Sequence, residues 1–133
     1  MSITRISQSL RRQIIERAGN RCEFCLLSAE VGFFPHEIDH VIAEKHGGKT
    51  DLDNLAYACW RCNRHKGTDL GSFDPETNGF SLLFSPRLQE WTDHFEFDEE
   101  QIVGLTSEGR TTARLLQLNN DDRLAERASL QSN

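Results

Sequence analysis

Two Cys-x-x-Cys pairs, Cys22 and Cys25 in "CEFC" and Cys59 and Cys62 in "CWRC", bracket residues 26–58 and use every cysteine of the chain. The short loop inside each pair lets both sulfurs point inward, so two pairs can place four thiolates tetrahedrally around one Zn²⁺. Paired thiols in a reducing compartment more often hold a metal than form disulfides. Two disulfides are the competing arrangement, disfavoured where no secretion signal precedes them. A rubredoxin-like iron site uses the same four thiolates, so spacing alone leaves iron open.

No such signal is expected from the start "MSITRISQSLRRQ", which lacks the apolar core of a secretory leader. No apolar run approaches the roughly 18 residues that span a bilayer. The expectation is a cytoplasmic protein with no membrane association. A chain of 133 residues is long enough for one well-stabilised core and short for two. The expected organisation is therefore a core over residues 1–72 with an extension over 73–133 packed on the same unit.

The formal net charge of −6 argues weakly against a nucleic-acid partner until it is divided along the chain. Residues 1–72 carry 10 Lys and Arg against 9 Asp and Glu, whereas residues 73–133 carry 5 against 12. Before residue 22, Arg5, Arg11, Arg12, Arg17 and Arg21 are opposed by Glu16 alone. That clustering suits a local phosphate-facing patch, and it equally suits an ordinary solvated helix face.

Along the chain, "SQSLRRQIIERAGN" reads as a helix of about three turns with Ile6, Leu10, Ile14 and Ala18 as its apolar stripe. Ser7 is the expected N-cap and Gly19-Asn20 the left-handed stop, with the stripe expected to pack beside the first cysteine pair. "VGFFPHEIDHVIA" predicts a strand entered at Pro35, and "EKHGGKTDLDN" a loop in which Gly47-Gly48 turn without a Cβ penalty. "LAYACWRCNRHKG" begins extended and, after Cys59, becomes a short helix ended by Gly67. Beyond it, "FSLLF", "HFEF" and "QIVGLT" predict short strands, and "SEGRTTARLLQLN" a helix capped by Ser107 with Ala113, Leu116 and Leu118 on its apolar face. The last residues, "NNDDRLAERASLQSN", either extend a helix or fray.

The chemistry concentrates in "EIDHVIAEKHGGKTDLDNLAYACWRCNRHKG". Asp39 is a hard oxygen ligand suited to Mg²⁺ or Mn²⁺, and the neighbouring His40 is a general base near neutral pH. Adjacent side chains on a strand point to opposite faces, so serving one site requires the backbone to bend there. Asn63 follows Cys62, so the second cysteine pair sets where the helix starts and which way this amide points. Asn54, ahead of the second strand, is placed to bond backbone of the first strand and hold His40. Lys66, Arg61 and Arg64 add the positive charge that a phosphodiester needs. His46 and His65 lie within reach of the same region.

This order of motifs resembles the HNH endonucleases, the His-Me finger or ββα-metal nucleases, in their stand-alone prokaryotic form with a four-cysteine zinc site. The resemblance covers about residues 22–67, through "CEFC", "EIDHVIAEKHGG" and "DLDNLAYACWRCNRHKG". It implies an α+β fold: a ββα-metal core stapled by a four-cysteine zinc site, with an N-terminal helix and a C-terminal α/β extension. It also implies hydrolysis of DNA with Mg²⁺ or Mn²⁺, leaving a 5′ phosphate and a 3′ hydroxyl. In such enzymes the Asp-His position supplies a metal ligand, here Asp39, and the base, here His40. The middle Asn falls on Asn54, which positions the base. The last position holds Asn63 in place of His, which still offers one oxygen and favours Mg²⁺ or Mn²⁺ over softer ions. A zinc-ribbon module that binds DNA without cleaving it is the alternative from another class.

Overall fold

A computed structural model describes residues 5–131. The chain divides into two compact units, Met1–Leu70 with Ser85–Leu88, and Gly71–Phe84 with Gln89–Asn133.

The first unit opens with α1 (Gln8–Arg17). The Ser7 hydroxyl accepts from the Leu10 amide at 3.1 Å and so satisfies one of the helix's unpaired N–H groups. Gly19 and Asn20, at φ +63° and +59°, end it in left-handed backbone. Its stripe packs Ile14, with Ile6, Leu10 and Ala18 around it, onto Leu55 and Tyr57. Those two belong to β2 (Leu55–Ala58), so the stripe lies on the strand that leads into the second cysteine pair. Full burial of Ile14 contributes about 1.5–3 kcal/mol.

β1 (Glu37–His40) pairs antiparallel with β2, with Asp39 opposite Ala56 and His40 opposite Leu55. Two short 3-10 turns, Glu44–His46 and Leu52–Asn54, punctuate the loop between them. β2 runs directly into α2 (Trp60–Lys66). This strand, loop, strand and helix form the ββα unit, and the whole chain is α+β. All four β2 residues are buried, and side chains close its second edge. Glu23 accepts from the Tyr57 amide at 2.8 Å, and Arg87 pairs with Glu23 and donates to the Leu55 carbonyl at 3.0 Å. An edge so covered cannot recruit another strand.

The second unit holds the hairpin β3 (Gly71–Phe73) and β4 (Phe80–Leu82), the single turn α3 (Trp91–His94), and the hairpin β5 (Phe95–Asp98) and β6 (Gln101–Gly104). The helices α4 (Ser107–Leu115) and α5 (Asp121–Gln131) follow. Leu83, Phe84, Phe95, Ile102, Leu116 and Leu118 are its buried apolar residues. The α4 cap departs from expectation by one residue. Extended Thr106 is the N-cap and accepts from the Gly109 amide at 3.1 Å, while the Ser107 hydroxyl donates to Asp74 at 2.8 Å. The buried face of α4 also carries Thr111 and Thr112, whose apolar faces are not announced by hydropathy. No helix among the described residues is long and apolar enough to cross a membrane.

Candidate functional site

The four cysteine sulfurs lie within 4.8 Å of one another, and all four residues are buried. Cys25 Sγ and Cys59 Sγ are 3.7 Å apart, far beyond a disulfide bond and close to the roughly 3.8 Å edge of a tetrahedron with 2.3 Å metal–sulfur bonds. Each pair is a knuckle: the Cys25 amide points at Cys22 Sγ and the Cys62 amide at Cys59 Sγ, both at 3.4 Å. Leu26 at φ +65° turns the first knuckle, and Cys59 doubles as the N-cap of α2. Burial pushes the Cys22 and Cys62 thiols well above their usual range. Thiolates at Cys22 and Cys62 therefore need a cation beside them, and a closed set of four buried sulfurs fits Zn²⁺.

The knuckle delivers Asn63 to the open side of the hairpin. Asp39, His40 and Asn63 line one cleft of about 420 Å³, together with Ile6, Glu37 and Glu44. Asp39 and His40 meet there because His40 is the last residue of β1 and the chain leaves the strand immediately after it. His40 Nε2 hydrogen-bonds the Thr50 hydroxyl at 2.8 Å, with a Glu44 carboxylate oxygen 3.7 Å away. The Asn63 amide nitrogen donates to Glu37 at 3.3 Å.

Asp39 is 6% exposed, and burial pushes its carboxyl upward against the opposing pull of Lys66. Lys66 Nζ lies 3.0 Å from Oδ2 and 3.3 Å from Oδ1, but its aligned hydrogen bond goes to Oδ1. Oδ2 is thus buried in an ion pair without a hydrogen bond. A hard oxygen with spare acceptor capacity, on a residue of the cleft that Asn63 also lines, fits a Mg²⁺- or Mn²⁺-sized cation. Lys66 Nζ also donates to the His40 carbonyl at 3.0 Å, so one ammonium ties together the backbone of His40 and the carboxylate of Asp39.

Asn54 stands behind the cleft. Its Oδ1 accepts from the Ile42 amide at 2.9 Å, and its Nδ2 donates to the carbonyls of Ile42 and Lys49 at 2.8 and 2.9 Å. It clamps the loop just past β1, two residues after His40. The clamp requires Gly48: a Cβ there would lie 1.7 Å from the Ile42 carbonyl oxygen and 2.7 Å from Asn54 Nδ2.

Lys66 is 2% exposed, its ammonium inside the fold against Asp39 and the His40 carbonyl. Arg61 and Arg64 stand over the Trp60 ring, at 5.6 and 5.5 Å from its centroid, and neither lines the cleft. His46 donates to the Thr68 carbonyl at 3.2 Å. His65 lies about 160° around α2 from Asn63, on its far side. Thr50, Glu44 and Glu37 were not singled out from sequence. Glu37 had a readable signal, since residues two apart on a strand share a face; Thr50 had none, because the loop that carries it has no periodicity.

Residues 22–69 match the HNH endonuclease family. This stretch is similar to the HNH endonuclease domain. Its bounds enclose both knuckles, the β1–β2 hairpin and α2, which is the set of elements that builds the cleft. A Septu protein PtuB from Bacillus thuringiensis is 24% identical over 117 residues, covering 86% of this chain and 43% of its own length. The chain therefore spans less than half of that relative. No solved structure matches the chain.

Proposed function

We propose that the chain is a metal-dependent endonuclease that hydrolyses DNA phosphodiester bonds and leaves a 5′ phosphate and a 3′ hydroxyl. The observation that carries this reading is the meeting of Asp39, His40 and Asn63 on one cleft, next to a separate four-cysteine site.

Asp39 and Asn63 would hold one Mg²⁺ or Mn²⁺. When bound, such an ion polarises a phosphate oxygen and offsets charge on the leaving 3′ oxygen. In this reading the His40 tautomer protonated at Nε2 donates to the Thr50 hydroxyl 2.8 Å away, and its Nδ1 lone pair would take a proton from water in line with the scissile bond. A Glu44 carboxylate oxygen lies 3.7 Å from the same ring nitrogen. Asn54 and Lys66 act on orientation, Asn54 through the loop after β1 and Lys66 through the His40 carbonyl. Zn²⁺ in the four-cysteine site is scaffold, since four buried sulfurs leave no position for water.

The products test this reading. Nicks made in plasmid DNA with Mg²⁺ or Mn²⁺ should be resealed by a DNA ligase without prior end repair, and Asp39→Asn should make none. Ends that ligase cannot join would overturn the stated chemistry. Binding of DNA with no new ends would favour the non-catalytic zinc-ribbon module.

A further inference from the structure

Trp60 opens α2 three residues before Asn63, and its surroundings are not used by the chemistry above. Phe34 meets it edge to face at 4.8 Å between ring centroids, and the Arg61 and Arg64 guanidinium carbons stand 5.6 and 5.5 Å from its ring. Phe34 is 55% exposed and Phe33 is fully exposed. At about 100° per residue, Trp60 and Arg64 fall some 60° and 100° around the helix from Asn63, on the side away from buried Cys62 and Lys66. Residues 60–68 contain no acid. The cluster therefore combines π faces and edges with planar cations immediately beside a residue of the cleft.

We propose that Phe33, Phe34, Trp60, Arg61 and Arg64 form a platform on which unpaired bases of a single DNA strand stack while the adjoining phosphodiester enters the cleft. This rests on the nuclease reading and names its substrate class. Bases in a duplex present their edges in the grooves and hide their faces, so an aromatic and guanidinium surface is satisfied only by an unstacked strand. The two arginines supply the attraction to the backbone and stack on bases themselves. A protein partner would cover the same rings, but planar cations standing over Trp60, three residues from Asn63 of the cleft, complement the polyanion that the nuclease reading brings there.

The test is equilibrium binding without added Mg²⁺ or Mn²⁺, using a fluorescent single-stranded oligodeoxynucleotide and the blunt duplex of the same sequence. A parallel titration follows Trp60 emission in a Trp91→Phe background. The single strand should bind more tightly than the duplex and quench Trp60. Phe33→Ala, a change at a fully exposed side chain, and Arg64→Gln should each weaken single-strand binding roughly tenfold, with little effect on the duplex. Equal affinity for both DNAs, an unmoved Trp60 signal, or variants that bind like the parent would each overturn the platform. Cleavage distinguishes the two readings. A protein that nicks duplex DNA as fast as single strands, with Phe33→Ala unchanged, remains a nuclease without this platform. Selective single-strand binding with no cleavage in Mg²⁺ or Mn²⁺ leaves the platform standing and removes the nuclease.

Discussion

The ammonium of Lys66, 2% exposed, lies 3.0 Å from a carboxylate oxygen of Asp39 and donates to the main-chain carbonyl of His40. Removing one member of a buried ion pair strands the other, at a cost of about 3–5 kcal/mol. Lys66→Met should therefore lower the melting temperature substantially. Because a divalent cation at Asp39 replaces the missing positive charge, Mg²⁺ should restore more stability to this variant than it adds to the parent. Thermal melts with and without Mg²⁺ check this, and equal shifts for the two proteins would separate Asp39 from the metal.

Thr50 bonds the ring nitrogen of His40 at 2.8 Å. Thr50→Val keeps the shape and removes the hydroxyl, so cleavage should slow by about tenfold, the worth of one hydrogen bond. Folding and metal content should be unchanged. An unaltered rate would mean that His40 does not depend on Thr50 for its tautomer.

Gly48 is a close approach with no room for a side chain, its Cβ direction being filled by the Ile42 carbonyl and Asn54. Gly48→Ala should dislodge the Asn54 clamp and reduce cleavage more than it reduces stability, since the loop after β1 is surface backbone while the core beneath is separate. Circular dichroism alongside the rate decides it. Full activity would show that the clamp does not position the base.

Cys59 both contributes a sulfur and caps α2. Cys59→Ser should release the bound metal and lower the melting temperature, because a structural metal provides much of a small unit's folding free energy. Elemental analysis of the parent should find one zinc per chain. One iron in its place would overturn the zinc assignment, and an unchanged melting temperature would show the staple to be dispensable.

In the second unit Asp74 is fully buried against Arg110, with Ser107 donating to it. The Arg110 hydrogen bond, above all, holds its carboxyl well below the usual carboxylate range. A depressed folded pKa stabilises fully above the unfolded value of about 3.9 and is lost as pH falls below it. Asp74→Asn should therefore melt lower than the parent at pH 7, with the difference shrinking as pH falls below about 4. A gap that does not narrow in acid would show that the Asp74 charge is not the source.

Much of the first unit was legible because its signals are local. Two cysteine spacings, Ser7 before an apolar stripe, Gly19-Asn20 after it, and Gly67 after "CNRHK" each report backbone geometry within a few residues. The burial of Lys66 was not legible: in "CNRHKG" it reads as one more surface cation, and only the 3.0 Å approach to Asp39 turns it inward. Thr50 was hidden for a related reason, since its partner is ten residues away across an irregular loop. In the second unit, Thr106 and Ser107 are equally good caps in sequence, and the choice follows from Asp74, more than thirty residues earlier, which takes the Ser107 hydroxyl.

The central claim is that His40 is the base of a metal-dependent nuclease. Conversion of supercoiled plasmid to nicked and linear forms, with Mg²⁺ or Mn²⁺, by the parent protein and by His40→Ala measures it directly. The parent should cleave, and the variant should be slower by roughly 10²- to 10⁴-fold, with DNA binding and zinc retained. Cleavage by His40→Ala at the parent's rate would contradict it.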